Sequence, residues 1–145
     1  MLPLDELYQE VILEHYKNPH NRGRIDNPDI HGHGVNPLCG DEVDVTLSLD
    51  GKKIKSFMVD GKGCAISQAS MSMMSEALAG KDLDLAKSMA ESFKNAMLGS
   101  GDLRLEGYED VEALEGVKKF PVRIKCAILP WNTFLEGLSE VERKR

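Results

Sequence analysis

The sequence is poor in cysteine and in basic charge and has no long apolar run, and each shortage excludes a class of protein. Its 145 residues include three cysteines, an odd number that cannot close a disulfide framework. The net charge is −6, so the chain lacks the basic face that binding to nucleic-acid phosphates requires. No apolar run approaches the length of a membrane span. We therefore expect neither a nucleic-acid nor a membrane partner.

The N-terminal segment MLPLDELYQE is acidic and amphipathic, and it lacks the basic start and apolar stretch of a signal peptide. We therefore expect a cytoplasmic protein. In that reducing compartment, cysteines serve as metal ligands, catalytic groups or core residues. The length fits one domain, residues 1–145, whose core can form without disulfides.

The spacing of apolar residues predicts a short series of helices and strands. Apolar residues at spacings of three and four indicate helices, and strict alternation indicates strands. The predicted helices are 5–18, 65–79, one that begins at Asp82, a short one near 109–114 and a last one at 127–143; the predicted strands are 29–36, 42–49 and 52–60. This order predicts an α+β fold, a small antiparallel sheet with helices packed on one side.

Local signals predict how these segments connect. Asp50-Gly51 favours a tight hairpin turn, and the alternation slips between Ile54 and Phe57, which indicates a bulge. Three further expectations are a flexible break at Gly61-Lys62-Gly63, an exposed loop at 99–117, and Pro130 in the first turn of the last helix.

The three cysteines fall at the ends of predicted elements, outside the apolar stripes. Cys39 lies in a turn before a strand, Cys64 directly before a helix, and Cys126 directly before the last predicted helix. Because a helix N-terminus carries partial positive charge, it lowers the pKa of a thiol, and we expect Cys64 and Cys126 to favour the thiolate. The hairpin returns Cys64 toward Cys39, and Cys126 joins them if the last helix packs beside the 65–79 helix.

Three converging thiolates need a cation, and sulfur ligands in four-coordinate sites favour Zn²⁺. Asp41 follows Cys39 by two residues, so in an extended chain it points to the same side and is the expected fourth, most exchangeable ligand. The predicted zinc ligands are Cys39, Asp41, Cys64 and Cys126. The side chains expected to offset part of the negative charge are Lys62, Arg123 and Lys125.

Other interpretations of these residue types stay open. The cysteines can be small buried core residues. His31 and His33 share one face of a strand and form either a rival metal pair or two solvated side chains. Core positions are expected for Met71, Met73 and Met74, and a solvated strand edge for Lys52, Lys53 and Lys55.

Several longer motifs are typical of one protein family. They are His15-Tyr16-Lys17-Asn18-Pro19-His20-Asn21, Asn36-Pro37-Leu38-Cys39-Gly40-Asp41, Gly61-Lys62-Gly63-Cys64-Ala65-Ile66-Ser67 and Arg123-Ile124-Lys125-Cys126-Ala127. Over nearly its whole length the chain resembles the IscU/SufU-like proteins of iron–sulfur cluster biogenesis. The resemblance implies the SufE/IscU-like (NifU N-terminal) fold and a metal site at Cys39, Asp41, Cys64 and Cys126.

Two departures from IscU-type scaffolds favour the SufU branch. Lys125 stands where those scaffolds have a histidine before the third cysteine, and the 99–117 stretch looks like an insertion. Resemblance to the SufU branch implies a zinc-dependent sulfurtransferase that accepts persulfide sulfur from a SufS-like cysteine desulfurase. Downstream iron–sulfur scaffold proteins are the implied recipients. The same resemblance implies Cys39 as persulfide carrier and Arg123 as an accessory catalytic group.

Two alternative functions use the same residues. One is a scaffold on which Cys39, Cys64 and Cys126 ligate a [2Fe–2S] cluster, with Asp41 at the exchangeable position. The other is a non-enzymatic binding module that zinc merely stabilises.

Overall fold

The chain forms a three-stranded sheet and a layer of helices. The computed structural model describes residues 4–105 and 107–144, with side chains from Tyr8 onward. The elements in chain order are α1 (Leu4–Lys17), β1 (Ile30–Asn36), β2 (Asp41–Asp50), β3 (Lys53–Lys62), α2 (Ala65–Leu78), α3 (Leu83–Met97), a run of 3₁₀ turns (Glu109–Lys119) and α4 (Pro121–Arg143). Within the described residues, no helix combines the length and apolar character needed to cross a membrane.

The sheet is antiparallel with the strand order β1-β2-β3. Helices α2 and α4 pack against it, so the predicted α+β class is confirmed. The register shifts where Leu49 pairs with Ile54 and Ser48 with Ser56, which leaves Lys55 as an extra residue in β3. The predicted bulge is therefore confirmed.

The two faces of β2 are both covered. Val43, Val45 and Leu47 are fully buried on one face, as the alternation predicts. On the other face, Asp44 accepts a hydrogen bond from Arg24 (2.8 Å), and the hydroxyl of Thr46 accepts one from the backbone N–H of Ile25 (3.0 Å). The segment before β1 therefore lies across the face of the sheet opposite the helices.

Helix α2 lies at the centre of the molecule and is buried on nearly all sides. Met71, Met73 and Met74 are fully buried, which confirms them as core residues. Four serines of this helix are also buried, namely Ser67, Ser70, Ser72 and Ser75. Buried hydroxyls need hydrogen-bond partners, and Ser70 donates to the backbone carbonyl of Ala127 in α4 (2.6 Å).

Helix α4 begins six residues earlier than the prediction of 127–143. Pro121 occupies its first turn, where a missing N–H is tolerated, and Pro130 lies in its interior. Pro130 cannot donate the hydrogen bond that the carbonyl of Cys126 would receive in a regular helix. Placing Cys126 directly before the last helix was therefore wrong, since it lies inside α4.

Two other predictions of local structure were wrong. Strand β3 continues through Lys62, which pairs with Glu42, so the chain does not break before Gly63. The 99–117 segment is not a simple exposed loop, because its apolar side chains are buried; they are Leu103, Leu105, Val111, Ala113, Leu114 and Val117. Burial of these side chains removes apolar surface from water, and this gain in free energy favours a packed segment over an exposed acidic loop.

Strand β1 and helix α4 approach closely because small residues line their contact. A Cβ atom on Gly32 would overlap the backbone carbonyl oxygen of Thr133, and one on Gly34 would overlap its hydroxyl. Inward positions of β1 alternate with the exposed His31 and His33, and the last inward residue is Asn36. This alternation directs Asn36 toward α4.

Candidate metal centre

Four chain segments end or turn at one edge of the sheet and bring the predicted ligands together. Cys39 lies in the turn between β1 and β2, and Asp41 begins β2. Cys64 follows β3 and is the N-cap residue of α2, and Cys126 lies in the second turn of α4. The pairing of Asn36 with Asp41, and of Glu42 with Lys62, places the strand ends at the same edge.

The side chains of Cys39, Asp41 and Cys126 form a compact group. The two Sγ atoms and a carboxylate oxygen all lie within 4.8 Å of one another. The Sγ of Cys64 lies outside this group, but the backbone N–H of Cys64 donates to Asp41 Oδ1 at 2.8 Å. The structure thus gathers three of the four predicted ligands and sets the fourth beside them.

Gly63 makes this approach of Cys64 to Asp41 possible. A Cβ atom on Gly63 would overlap the Asp41 carboxylate, and its φ of 144° lies where side chains are strained. A residue with a side chain at position 63 would therefore keep Cys64 and Asp41 apart.

Asp41 is 1% exposed and is held by hydrogen bonds. Besides the Cys64 N–H, its Oδ1 accepts from the Ser67 hydroxyl (3.0 Å), and its Oδ2 accepts from Asn36 Nδ2 (3.4 Å). Burial alone would raise the pKa of Asp41, but the hydrogen bonds from Cys64, Cys126 and Ser67 outweigh it and lower the pKa. Asp41 is therefore a carboxylate, the form that binds a cation.

Cys126 is fully buried. Burial, and next the neighbouring Asp41, Cys39 and Cys64, raise its pKa above the ordinary thiol value. The prediction that a helix start lowers this pKa was wrong, because Cys126 lies within α4 and away from solvent. Asn36 Nδ2 donates to the Cys126 Sγ at 3.6 Å. A thiolate at this position consequently depends on a bound cation.

Arg123 is exposed at the N-terminal end of α4 and faces the cysteines. The charge of Cys64 and hydrogen bonds to Cys64 and Cys126, followed by the charge of Cys39, raise the pKa of the Arg123 guanidinium. Lys62 instead pairs with Glu42, with 3.4 Å between Nζ and Oε2. Of the cations expected to offset the charge, Arg123 is the one whose pKa the cysteines raise, while Lys125 is exposed.

Asn36 and Ser67 belong to this site but were not among the predicted site residues. Asn36 is 8% exposed and contacts both Asp41 and Cys126. The inward alternation of Ile30, Gly32 and Gly34 in β1 was the signal that could have identified it. Ser67 lies three residues after the N-cap Cys64, a position whose side chain commonly reaches back to the helix start.

The rival pair His31 and His33 does share one face of β1, as predicted. Both rings hydrogen-bond Asp44 Oδ1, His31 Nε2 at 3.1 Å and His33 Nδ1 at 3.2 Å. Their side chains are about half exposed, 53% and 50%. They are therefore surface residues that cover the buried Asp44.

The donor set of the compact group matches the chemistry of zinc. Thiolate sulfur with one carboxylate oxygen suits a borderline soft divalent ion, whereas Mg²⁺ and Ca²⁺ prefer oxygen ligands alone. The ionised Asp41 beside the buried Cys126 offers a cation a negatively charged oxygen next to sulfur. The residues present therefore fit zinc.

Residues 7–141 match the family described as the NifU-like N-terminal domain. The chain belongs to this family. Among its relatives, the zinc-dependent sulfurtransferase SufU of Bacillus subtilis (strain 168) is 45% identical over 139 residues, covering 96% of this chain and 94% of the relative. The iron–sulfur cluster assembly scaffold protein IscU of Streptococcus pyogenes serotype M1 is 38% identical, covering 93% and 84%.

A solved structure has the same fold as this chain. This candidate iron–sulfur cluster assembly scaffold protein for the SUF system of Fervidobacterium islandicum AW-1 is 36% identical, with a TM-score of 0.83. The alignment covers 94% of this chain and 99% of the other. The IscU/SufU-like resemblance noted from the motifs is confirmed, and with it a place among iron–sulfur cluster assembly proteins.

Proposed function

We propose that this protein is a zinc-dependent sulfur acceptor that takes persulfide sulfur from a cysteine desulfurase for iron–sulfur cluster assembly. The observation that carries the proposal is the compact group of Cys39, Asp41 and Cys126 beside Cys64 and Arg123. The 45% identity to a protein named as a zinc-dependent sulfurtransferase supports it. We place the reaction in the cytoplasm.

Cys39, Asp41, Cys64 and Cys126 are the proposed zinc ligands. Bound zinc would keep the coordinating sulfur atoms deprotonated at neutral pH. Cys64 needs only a side-chain movement to join the other three, since its backbone is already hydrogen-bonded to Asp41. Asp41 is the ligand we expect to exchange, because it is the single oxygen donor among sulfurs.

Cys39 is the proposed sulfur acceptor. It is half-buried in a turn next to Leu38, which is 74% exposed. The other neighbour is Gly40, where an added Cβ atom would meet no heavy atom within 4 Å. Cys126, in contrast, is inaccessible to a partner. A persulfide on a mobile partner segment can therefore reach Cys39 but not Cys126.

The transfer is a thiolate–persulfide exchange. The Cys39 thiolate attacks the terminal sulfur of the donor persulfide, a new S–S bond forms on Cys39, and the donor S–S bond breaks as the donor cysteine leaves as a thiolate. Arg123, which faces the cysteines, stabilises the negative charge that arrives with the terminal sulfur. The sulfur then passes to a downstream scaffold protein.

The test is desulfurase turnover measured with and without this protein, using the wild type and Cys39→Ala. We expect the wild type to stimulate turnover and to gain the mass of one sulfur atom, and Cys39→Ala to do neither. Glu42→Ala is the matched control, because Glu42 is next to Asp41 in the chain but is not a proposed ligand. Within the described residues, its salt bridge is with the exposed Lys62. A wild type that neither stimulates the desulfurase nor gains sulfur contradicts the proposal.

A scaffold for a [2Fe–2S] cluster is the second candidate, favoured by the 38% identity to a protein named as an IscU scaffold. The exposed Lys125 before Cys126 argues against it, because a protonated ammonium has no lone pair for iron. Anaerobic cluster reconstitution in competition with zinc separates the two. A stable, transferable cluster in the presence of zinc would favour the scaffold.

A further inference from the structure

A second group of metal-binding side chains lies at the opposite end of α2. His15 is in the last turn of α1, His20 follows that helix, and Glu76 is in the last turns of α2. One potential ligand atom from each lies within 4.8 Å of the other two. Glu76 is twelve residues from Cys64, about 18 Å along a helix, so this group is separate from the cysteines.

The two imidazoles and two carboxylates converge from different elements. The rings of His15 and His20 lie 4.7 Å apart between centroids. His20 Nδ1 contacts Glu76 Oε2, and His15 Nε2 is 2.7 Å from Asp110 Oδ2 in the 3₁₀ segment. Nitrogen and carboxylate oxygen donors in this combination suit borderline divalent ions such as Zn²⁺, Co²⁺ and Ni²⁺.

Ser72 orients His15 from behind the group. Its Oγ lies 2.8 Å from His15 Nδ1 and accepts the backbone N–H of His20 at 2.7 Å. Metal-bound histidines usually place their second ring nitrogen on an oxygen in this way, which directs the other nitrogen at the ion. Because His15 is 2% exposed and Ser72 is fully buried, the direction of Nε2 is fixed by the fold.

The other donors are accessible to an ion from solvent. The side chains of His20, Glu76 and Asp110 are 39%, 36% and 45% exposed. Ligands of one zinc-like ion at bond lengths of about 2.0–2.2 Å lie within about 4.4 Å of each other. The group therefore needs only small rotations of exposed side chains to close on an ion.

Tyr108 holds the carboxylate in position. Its hydroxyl donates to Glu76 Oε1 at 2.6 Å, which leaves Oε2 beside His20. Tyr108 and Asp110 lie at the start of the 3₁₀ segment, while the histidines and Glu76 come from α1, its following turn and α2. An ion here would join three parts of the chain.

We propose that His15, His20 and Glu76, with Asp110 as a further oxygen donor, form a second site for a borderline divalent transition ion. This site does not depend on the cysteines, and its ion has nitrogen and oxygen ligands only. It fastens the 3₁₀ segment to α1 and α2.

Titration with Co²⁺ of the 145-residue chain loaded with one equivalent of Zn²⁺ tests the proposal. We expect one equivalent of Co²⁺ to bind with an absorption spectrum that lacks thiolate-to-cobalt charge transfer. His20→Ala and Glu76→Gln should weaken this binding by about tenfold or more. His33→Ala is the matched control, since His33 is a similarly exposed histidine that hydrogen-bonds a carboxylate elsewhere, and it should bind Co²⁺ as the wild type does.

Three results would overturn the second site. They are no Co²⁺ binding by the wild type, a spectrum with thiolate bands throughout, and unchanged binding by both His20→Ala and Glu76→Gln. The outcome is independent of sulfur transfer, because Cys39→Ala should still bind one equivalent of Co²⁺ with a spectrum that lacks thiolate-to-cobalt charge transfer.

Discussion

At the residue scale, Asp41 is central to the proposed zinc chemistry of the cysteine end, the group formed by Cys39, Asp41, Cys64 and Cys126. The backbone N–H of Cys64 and the hydroxyl of Ser67 fix one carboxylate oxygen, and the amide of Asn36 contacts the other. The longest of these contacts, at 3.4 Å, is on Oδ2, so we expect that oxygen to be the one that binds and releases a cation. The carboxylate is thus held in place at Oδ1 by a backbone N–H and by a buried hydroxyl.

Replacing Asp41 should separate zinc binding from sulfur transfer. We expect Asp41→Ala to retain substantial zinc, because three sulfur ligands remain, and to transfer sulfur at a rate lower by about tenfold or more. Zinc content and the rate of sulfur uptake from the desulfurase are the two measurements. Asp41→Asn keeps the shape and removes the charge, so it tests whether charge alone matters. Normal transfer by Asp41→Ala would show that Asp41 is not the exchanging ligand.

At the scale of elements, close contact between β1 and α4 positions Asn36 and Cys126 relative to each other. Gly32, Gly34 and Gly137 lack side chains where strand and helix meet, and Gly137 lies next to the backbone of His31 and Gly32. A methyl group at Gly32 would overlap backbone, so it must shift α4 relative to the sheet. The geometry of the cysteine end therefore depends on glycines that are not part of it.

Gly32→Ala should destabilise the protein by about 1–3 kcal/mol, because the new methyl group overlaps the backbone carbonyl of Thr133 rather than a flexible side chain. Urea unfolding at matched zinc content measures the change in free energy. Gly116→Ala is the control, since its added methyl group meets no atom within 4 Å. Equal unfolding midpoints for Gly32→Ala and the wild type would refute this account of the contact.

The spacing of apolar residues correctly predicted the helices and strands that local sequence signals specify. It failed where tertiary packing determines the structure. The hairpin, its bulge, α2 and the Asp82 cap of α3 follow from local signals, and the Asp82 carboxylate does accept the N–H of Asp84. Pro121 and Pro130 are both acceptable at a helix start by local rules. Burial of Trp131 and Phe134 stabilises a helix that runs through Pro130. The free energy of this packing depends on the rest of the fold, so local sequence rules cannot predict it.

The candidate site was predictable to a similar extent. Cysteines next to element ends pointed to the proposed ligands, and the hairpin accounts for the position of Cys64 beside Asp41. The contact of Asn36 with Cys126 joins residues 90 apart in the chain and requires the register of β1 on β2 and the packing of α4 on β1. The identities of Asn36 and Cys126 in the sequence specify neither this register nor this packing.

At the scale of the whole molecule, the proposed zinc ligands come from three separate regions of the chain. The β1–β2 turn, the start of α2 and the second turn of α4 are brought together only by the complete fold. We propose that residues 1–145 form a single domain, in which ion binding and folding are coupled.

Removing zinc should lower the melting temperature while leaving one cooperative transition. A ligand present at about one hundred times its dissociation constant stabilises the folded state by about 2.7 kcal/mol, which corresponds to about 5–10 °C for a chain of this size. Calorimetry before and after chelation measures the shift. Re-addition of Zn²⁺ should restore it and Mg²⁺ should not, because Mg²⁺ binds sulfur poorly. Two resolved transitions would contradict a single domain, and an unchanged melting temperature would contradict the coupling.

The proline inside α4 has a mechanical consequence for the cysteine end. Because Pro130 removes the donor for the carbonyl of Cys126, the backbone ladder is interrupted at the turn that carries a proposed ligand. A proline inside a helix favours a bend, so the turns that carry Arg123 and Cys126 need not follow the axis of the turns that carry Trp131 and Phe134. A proposed ligand therefore lies at an irregularity of α4 and not within its regular backbone ladder.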